Sequence, residues 1–489
     1  MARASTNSHI LELEMIFGGV SQPAVLERLS HSAASIYNAC LGEALKRLHT
    51  VQHDREYQAL REEYKSAKAG GLPLGRFRTD YRAVFKKYGY TEYALQEYAA
   101  GIRNHYPNFG SAETQALATR AFNTVEKVRT GKAENVRFKS PKEGISFEGK
   151  GRTSKLHYDE KDHTVHYGQY RFGLKIKPDD EYAAQCMQDK VKYVRVLKRT
   201  IRGRQRWFCQ LVLEGTPPDN GRHRRVYGDG KAGIDPGVAT TAVVTDRTAH
   251  LYELAPDIRE DEKRIRRLQR AADRSRRATN PGNYEQDGTV RKGRKHWEDS
   301  KRYLRLKSEL AEAHRLYRVK REMSHHSLAK EILAEASDIR TETMSFSGLA
   351  KRSGHISHNR NNGRIRSRKR YGKTIHNRAP SRLISILDEK LSYIGKSVTK
   401  VNTFKIKASQ YNPLDGSFSK KELKDRMVDL GDGNIVQRDL LSAYIILNTS
   451  DPETIDAQSA YDNFNNFKQM NDIEVDRLRT SGRLSWYIN

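Results

Sequence analysis

Apolar and polar positions along this 489-residue chain follow several different patterns in turn. Residues 8–17 alternate in the manner of a β-strand, and residues 21–48 repeat their apolar side chains at helical spacing. Aromatic-rich helical segments follow as far as residue 129. Short alternating runs then occupy residues 136–214, which predicts an antiparallel β-domain in the form of a small barrel.

The stretch KAGIDPGVATTAVV at residues 231–244 opens the second half of the chain. It predicts a buried strand carrying one acid, Asp235, then a tight Pro-Gly turn and a second strand. An unpaired carboxylate is costly to bury, and a divalent cation is the partner we favour for it.

Charged helical sequence fills residues 257–335, and a Gly/Asn/Pro break at 279–293 predicts a helical hairpin or arm. Residues 343–387 contain no Asp or Glu. A helix followed by a strand is predicted over 383–406, and a further helix over 435–448.

The composition of the chain also indicates what kind of molecule it binds. The 89 Lys and Arg residues exceed the 60 Asp and Glu residues, for a formal charge of +29. Such an excess indicates a polyanion, which we take to be nucleic acid rather than an incidental basic composition. The scattered Cys40, Cys186 and Cys209 form no C-x-x-C pair, which excludes a disulfide framework and a cysteine zinc site. With no signal-like N-terminus and no apolar run of about 18 residues, we expect a cytoplasmic protein without a membrane partner.

Three acids stand out by their local context: Asp235, Glu342 at the end of a strand-like segment, and Asp439 at the start of a helix after Arg438. Carboxylate oxygens are the ligands of hard divalent cations, and two such ions can promote phosphodiester cleavage. Taken alone, Asp439 is also typical of a helix N-cap, and Glu342 of a solvated surface group.

The stretches around these acids, GIDPGVATTAVV, IRTETMSFSGLA and VQRDLLSAYIILN, resemble in order the three motifs of a RuvC nuclease domain. More narrowly, they resemble the transposon-encoded TnpB family and the compact type V CRISPR effectors related to it. Gly233 and Gly237 flank the first acid as in the family motif. The resemblance extends over residues 8 to 448, including IYNACL, TQALATRAF, VRFKS and ASQ.

This resemblance implies an α+β multidomain fold: an RNase H-like (RuvC) α/β nuclease core, a β-barrel wedge domain and a helical recognition domain. It implies that Asp235, Glu342 and Asp439 bind two Mg²⁺ ions and cut DNA. It also implies two partners, a guide RNA and double-stranded target DNA with a short flanking motif, in a prokaryotic cytoplasm. The expected domains are 1–20 and 136–228 (wedge barrel), 21–135 (recognition), 229–400 (nuclease with arm and basic loop), 401–434 (zinc-ribbon-like insert) and 435–489 (third motif and tail).

The acid-free tract, most basic at residues 351–378, is either a solvated loop or a loop that contacts phosphates, and we favour nucleic-acid contact. Aromatic residues beside cations in the barrel, such as Tyr170 and Trp207, could stack on bases or pack in the core. The residues we expect to contact nucleic acid are Arg120, Lys139, Arg352, Arg360, Arg364, Arg366, Arg368, Lys369, Arg370 and Arg438.

One feature departs from the family. Its members commonly bind zinc through two C-x-x-C pairs between the second and third motifs, whereas residues 411–434 contain neither Cys nor His. We therefore predict no structural zinc. The segment would be held by its apolar residues, Tyr411, Leu414, Phe418, Leu423, Met427 and Leu430.

The leading hypothesis is an RNA-guided DNA endonuclease in which base pairing reads the target. The alternative is a guide-RNA-directed, repressor-like DNA-binding protein with weak or no cleavage, although such a protein should have lost one or more acids. A nuclease or transposase with the same core but no guide RNA is a third hypothesis.

Overall fold

The computed structural model describes residues 7–19, 21–150, 154–219, 224–352, 354, 356, 358, 363, 371–422, 425–482, 484 and 487–488. The chain forms two compact units, residues 1–220 and 221–489. No helix within the described residues is both long and apolar enough to cross a membrane.

The helices of the first unit are organised around a long helix, α1, that the apolar spacing of its sequence predicts. One face of α1 is buried, with Leu26, Ile36 and Leu41 fully inaccessible, and it packs against α4 and α5. The helices are α1 (Ser21–His53), α2 (Arg55–Ala69), α3 (Gly75–Lys87), α4 (Glu92–Arg103), α5 (Ser111–Arg129) and α6 (Glu181–Cys186).

The strands of the first unit form a nearly closed barrel sheet in the order β2-β6-β7-β1-β5-β4-β3, with every pair antiparallel. The two end strands approach one another, since a β-carbon at Gly149 would lie 2.1 Å from the carbonyl oxygen of Leu156. The buried Glu113 of α5 accepts a hydrogen bond from the Leu156 amide at 2.7 Å, which helps hold this junction. The strands are β1 (Ser8–Ile16), β2 (Phe147–Gly149), β3 (Leu156–Asp159), β4 (Thr164–Tyr167), β5 (Tyr170–Leu174), β6 (Val191–Ile201) and β7 (Arg204–Glu214).

The second unit contains a five-stranded sheet in the order β10-β9-β8-β11-β12. The pairs β10/β9 and β9/β8 are antiparallel, whereas β8/β11 and β11/β12 are parallel. These strands are β8 (Gly230–Pro236), β9 (Thr240–Thr245), β10 (Ala249–Glu253), β11 (Ala336–Glu342) and β12 (Thr399–Val401).

Both faces of this sheet are covered by helices. Side chains alternate along β9, so that Ala242 and Val244 join one apolar cluster with α13 and α15, whereas Val243 joins another with α8 and α11. The helices are α7 (Arg259–Thr279), α8 (Lys301–Glu335), α9 (Phe346–Leu349), α10 (Gly372–Arg378), α11 (Pro380–Ser392), α12 (Thr403–Ile406), α13 (Arg438–Leu447), α14 (Ala457–Asp462) and α15 (Phe464–Ser481). Short 3-10 turns lie at Pro256–Ile258 and Pro281–Asn283, and short strands at β13 (Met427–Asp429), β14 (Ile435–Gln437), β15 (Thr449–Asp451) and β16 (Thr454–Ile455).

Helices α7 and α8 form the hairpin that the sequence predicts, with a connection that runs on to residue 300. Ile265 of α7 packs with Ala313 and Tyr317 of α8 in a small cluster of its own. His325 in α8 is buried and its Nε2 lies 2.8 Å from the Arg378 carbonyl oxygen, so it has a structural contact.

Strand β10 is an outer strand of the five-stranded sheet, and helix α15 covers its outer edge. Glu474 of α15 is buried and accepts a hydrogen bond from the Leu251 amide at 2.8 Å. Its carboxylate also contacts His250 at 3.1 Å and Arg477 at 2.6 Å. Burial alone would raise the pKa of Glu474, but these hydrogen bonds lower the pKa below its ordinary value.

Candidate active site

Asp235 and Glu342 lie at the carboxyl ends of two adjacent parallel strands. The register of β8 and β11 pairs Ile234 with Thr341, so the next position on each strand is one of these acids. Ile234 and Ile339 point into the cluster beneath α8 and α11. By alternation, both acids therefore lie on the opposite face, the one covered by α13.

Asp439 reaches the same face through helix α13. The helix crosses β8 at Gly233, where only a glycine fits, because a β-carbon would lie 2.1 Å from the Ala443 carbonyl oxygen. The helix N-cap is Gln437, whose Oε1 accepts a hydrogen bond from the Leu440 amide at 2.7 Å. The N-cap interpretation of Asp439 is therefore wrong, and this carboxylate is available for other contacts.

The electrostatics of the site depend on the proximity of the three acids. Burial raises the pKa of Asp235 well above its usual range, and the neighbouring Asp439 and Glu342 carboxylates raise it further against the weaker opposing effect of Arg438. Glu342 is half-buried rather than exposed, unlike a solvated surface group, and burial raises its pKa. A site of this kind favours a bound cation, because like charges are held together where water screens them poorly.

Arg438 orients the third acid. Its Nη2 and Nε atoms lie 2.9 and 3.1 Å from Oδ1 of Asp439. Arg426 lies on the other side of the same carboxylate, with Nη1 at 3.8 Å from Oδ2. The Arg438 guanidinium also donates to the Glu422 carbonyl oxygen at 3.4 Å, which ties the acid to the segment preceding β13.

The donor set fits divalent metal ions such as Mg²⁺, because it consists of carboxylate oxygens on rigid elements. The oxygens of the three acids are not all within 4.8 Å of one another, so the site is wider than a cluster that would chelate one small ion. Within the described residues, Asp159, Asp162 and His166 do form such a tight group, at the β3–β4 hairpin. Asp162 is already paired with Arg171 and Thr164, so this group is accounted for by its own contacts.

Lys421 is a residue near this site that the sequence interpretation overlooked. Its Nζ atom is buried and has no hydrogen-bond partner among the described residues. Burial, and to a lesser degree Arg438, lowers the pKa of Lys421 to about 8. Nothing in the polar sequence around it, FSKKEL, distinguishes it from its exposed neighbour Lys420.

The segment expected to replace a zinc ribbon is held by one buried asparagine and a few apolar contacts. Asn412 Nδ2 donates to the Leu430 carbonyl oxygen at 3.1 Å, and its Oδ1 accepts from the Leu414 amide at 3.0 Å. Tyr411 and Leu430 are buried as expected, but Phe418 is 52% exposed, with its ring centroid 5.1 Å from that of Tyr411. Leu414 and Met427 pack against the core, and Leu423 lies outside the described residues.

The residues expected to contact nucleic acid occupy different environments. Arg352 and Lys139 are exposed, and Asn38 holds the backbone of Lys139 through two hydrogen bonds. Arg120 donates to the Ser146 carbonyl oxygen at 3.0 Å, so its guanidinium has an internal contact. Arg360, Arg364, Arg366, Arg368, Lys369 and Arg370 lie outside the described residues.

Helix α7 presents a stripe of basic side chains. Arg264, Arg267, Arg270 and Arg274 are exposed and recur every three to four residues, away from the buried Ile265. Within the described part of the chain they form no salt bridge, whereas Arg266 and Arg277 on the same helix do. The stripe spans about 15 Å, a length that matches several backbone phosphates.

Comparison with known proteins gives structural neighbours only. No protein-family model matches the chain, and no curated protein matches it. Among solved structures, a Cas12f1–sgRNA–target DNA complex is 12% identical, with 90% of this chain and 98% of that chain covered and a TM-score of 0.46. A CRISPR-Cas12f ternary complex is 12% identical, with 89% and 83% covered and a TM-score of 0.29. Both TM-scores are below 0.5, so neither likeness bears on the function of this chain.

Proposed function

We propose that this chain is an RNA-guided DNA endonuclease that cleaves phosphodiesters by a two-metal, RuvC-type mechanism. The observation that carries the proposal is the convergence of Asp235, Glu342 and Asp439 on one face at the carboxyl end of the five-stranded sheet. The strand order, with three antiparallel strands followed by two parallel ones, supports an RNase H-like core. The three sequence motifs supply the same acids independently.

In this proposal Asp235, Glu342 and Asp439 hold two Mg²⁺ ions. When bound, the ions supply a water nucleophile at neutral pH and stabilise the charge on the leaving oxygen. The chain itself provides rigid placement, because two of the acids end adjacent strands and the third is fixed in the first turn of α13. Arg438 and Arg426 hold the Asp439 carboxylate in one orientation.

Guide RNA and target DNA are the partners that the charge of the chain supports. A net charge of +29 supports a polyanionic partner, and the exposed arginine stripe of α7 suits contact with phosphates rather than with bases. The resemblance of the motifs to guide-dependent nucleases supports RNA as the bound strand and DNA as the substrate. Base pairing would then select the target, and the protein would read a short flanking motif.

The test is to express the protein with its native locus, sequence the RNA that copurifies, and assay Mg²⁺-dependent cleavage of matching DNA. Asp235→Ala should abolish cleavage while RNA binding is retained. The matched control is Asp246→Ala, which removes an exposed acid from the β9–β10 turn at the opposite end of the sheet. Cleavage by Asp235→Ala at the wild-type rate would contradict the assignment, and a wild-type protein that binds guide and target without cutting would favour the repressor-like alternative.

A further inference from the structure

A cavity of about 470 Å³ lies within the first unit, far in sequence from the candidate active site. It is lined by the first half of α1, the connection between α4 and α5, and the turn between β4 and β5. Its volume is in the range of pockets that hold small organic ligands.

The apolar part of the cavity includes four buried or partly buried rings beside the aliphatic Val25 and Leu29. Phe109 and Tyr167 are buried, and Tyr106 and Tyr170 are partly buried. The Tyr167 hydroxyl accepts from the Gly110 amide at 2.9 Å and donates to the Asn108 carbonyl oxygen at 3.1 Å. Because its polar group is satisfied within the protein, Tyr167 contributes a fixed apolar surface to the cavity.

The polar part of the cavity is cationic. Arg28, His105 and Lys155 are exposed, and the described lining residues include no Asp or Glu. Asn108 and Gln169 add exposed amides that can donate and accept hydrogen bonds. An anionic ligand with a flat aromatic part and a polar edge matches both parts of this cavity.

We propose that this cavity binds one unpaired nucleotide of the guide RNA, with its base among the tyrosine rings and its phosphate near Arg28 and Lys155. Stacking on aromatic side chains and contact of phosphates with cations are the usual means by which proteins hold unpaired bases. The assignment to guide RNA rests on the proposed function, whereas the nucleotide chemistry rests on the cavity alone.

The test uses the full chain, freed of cellular RNA, and measures binding of fluorescein-labelled hexauridylate by fluorescence anisotropy at several salt concentrations. Tyr106→Ala and Tyr170→Ala should each weaken binding about tenfold, whereas Tyr170→Phe should bind like the wild type. Because a tyrosine change could disturb packing, the exposed pair Arg28→Ala with Lys155→Ala provides a second arm. Loss of the contact with this one phosphate should lower the salt dependence, the slope of log K against log salt, by about 0.7.

The matched control for charge is Arg55→Ala with Lys68→Ala, two exposed cations on α2 that do not line the cavity. It should leave affinity and salt dependence unchanged. A 5-iodouridine probe should crosslink to the peptides that contain Tyr106 or Tyr170.

The proposal would be overturned if the tyrosine and cation variants bound hexauridylate as tightly as the wild type, or if the control lost as much affinity as they did. If the cavity variants lost affinity for deoxyuridine hexamers but not for hexauridylate, the assignment to RNA would be overturned. The proposed function would fail separately if the wild-type protein copurified with no RNA and cut no DNA. That result does not depend on the affinity of the protein for the hexauridylate probe.

Discussion

Gly233 of β8 lies against Ala443 of α13 so closely that a β-carbon on the glycine would be 2.1 Å from the alanine carbonyl oxygen. The same hypothetical atom would be 2.4 Å from the Leu447 amide nitrogen. Both neighbours are backbone atoms, so the helix cannot yield by a simple side-chain rotation. This contact therefore fixes how near the first turn of α13, with Asp439, comes to the end of β8.

Gly233→Ala should displace α13 and move Asp439 away from Asp235. We expect cleavage to fall at least about tenfold and the free energy of unfolding to fall by about 2 kcal/mol, the usual cost of overpacking. Cleavage assays and chemical denaturation measure the two effects. Gly282→Ala is the control, since a β-carbon there meets no atom within 4 Å. Equal activity and stability in the two variants would show that the close packing is not required.

Asp235→Asn should stabilise the protein when metal is removed. Burial and the neighbouring carboxylates raise the pKa of Asp235, so its ionised form is disfavoured in the folded state at neutral pH. We expect a gain of about 1 kcal/mol at pH 7 in the presence of EDTA, disappearing below about pH 4, where the carboxyl group is protonated in both states. Thermal unfolding over a pH series measures it.

Magnesium should reverse the order of stability, so that the wild type becomes more stable than Asp235→Asn. Ions that bind the folded wild type raise its melting temperature by mass action, and Asp235→Asn should gain much less. Asp246→Asn serves as control and should respond to Mg²⁺ like the wild type. A melting temperature that Mg²⁺ leaves unchanged in the wild type would argue against a metal site.

Lys421→Met should stabilise the protein in a pH-dependent manner. The folded-state pKa is lowered to about 8, below the ordinary value of 10.5, so the charged form is penalised by folding. The penalty is complete below pH 8, shrinks as pH rises from 8 to 10.5, and vanishes above 10.5, where both states are neutral. We expect a gain of about 1 kcal/mol at pH 7 that shrinks across this range, whereas Lys420→Met, at an exposed position, should change stability little at any pH.

Purified protein should contain no stoichiometric zinc, and a zinc chelator should leave its melting temperature unchanged. The segment from Tyr411 to Leu430 is instead expected to depend on Asn412, whose side chain bridges the two ends of this segment. Asn412→Ala should cost about 1–3 kcal/mol, because it leaves buried backbone groups unpaired. Elemental analysis that finds one zinc per chain would contradict the prediction.

Local pattern was sufficient to predict the elements of the candidate site. The strand-turn-strand around Asp235 and the helix after Arg438 are short apolar stretches whose periodicity is visible in the sequence. Their convergence was expected only from resemblance, because the parallel pairing of β8 with β11 joins residues separated by the whole α7–α8 arm. Pairing at that distance depends on tertiary packing and leaves no local signal.

The environments of single side chains were harder to predict. Phe418 was expected in a core and is exposed, whereas Lys421 was overlooked and its Nζ atom is buried. Both lie in a polar segment with little regular structure, where no period of two or 3.6 residues assigns a face. Gln437 rather than Asp439 caps α13. The N-cap position is set by where strand β14 ends and helix α13 begins, and the preference of acids for N-caps does not determine that point.

The covering of β10 by Glu474 has a consequence for how the protein behaves at high concentration. An uncovered strand edge is a template on which another chain can add a strand, and such additions lead to aggregation. Here the carboxylate of Glu474 accepts a hydrogen bond from the outward Leu251 amide, and α15 lies along the same edge. The protein thus has one fewer route to precipitating with copies of itself.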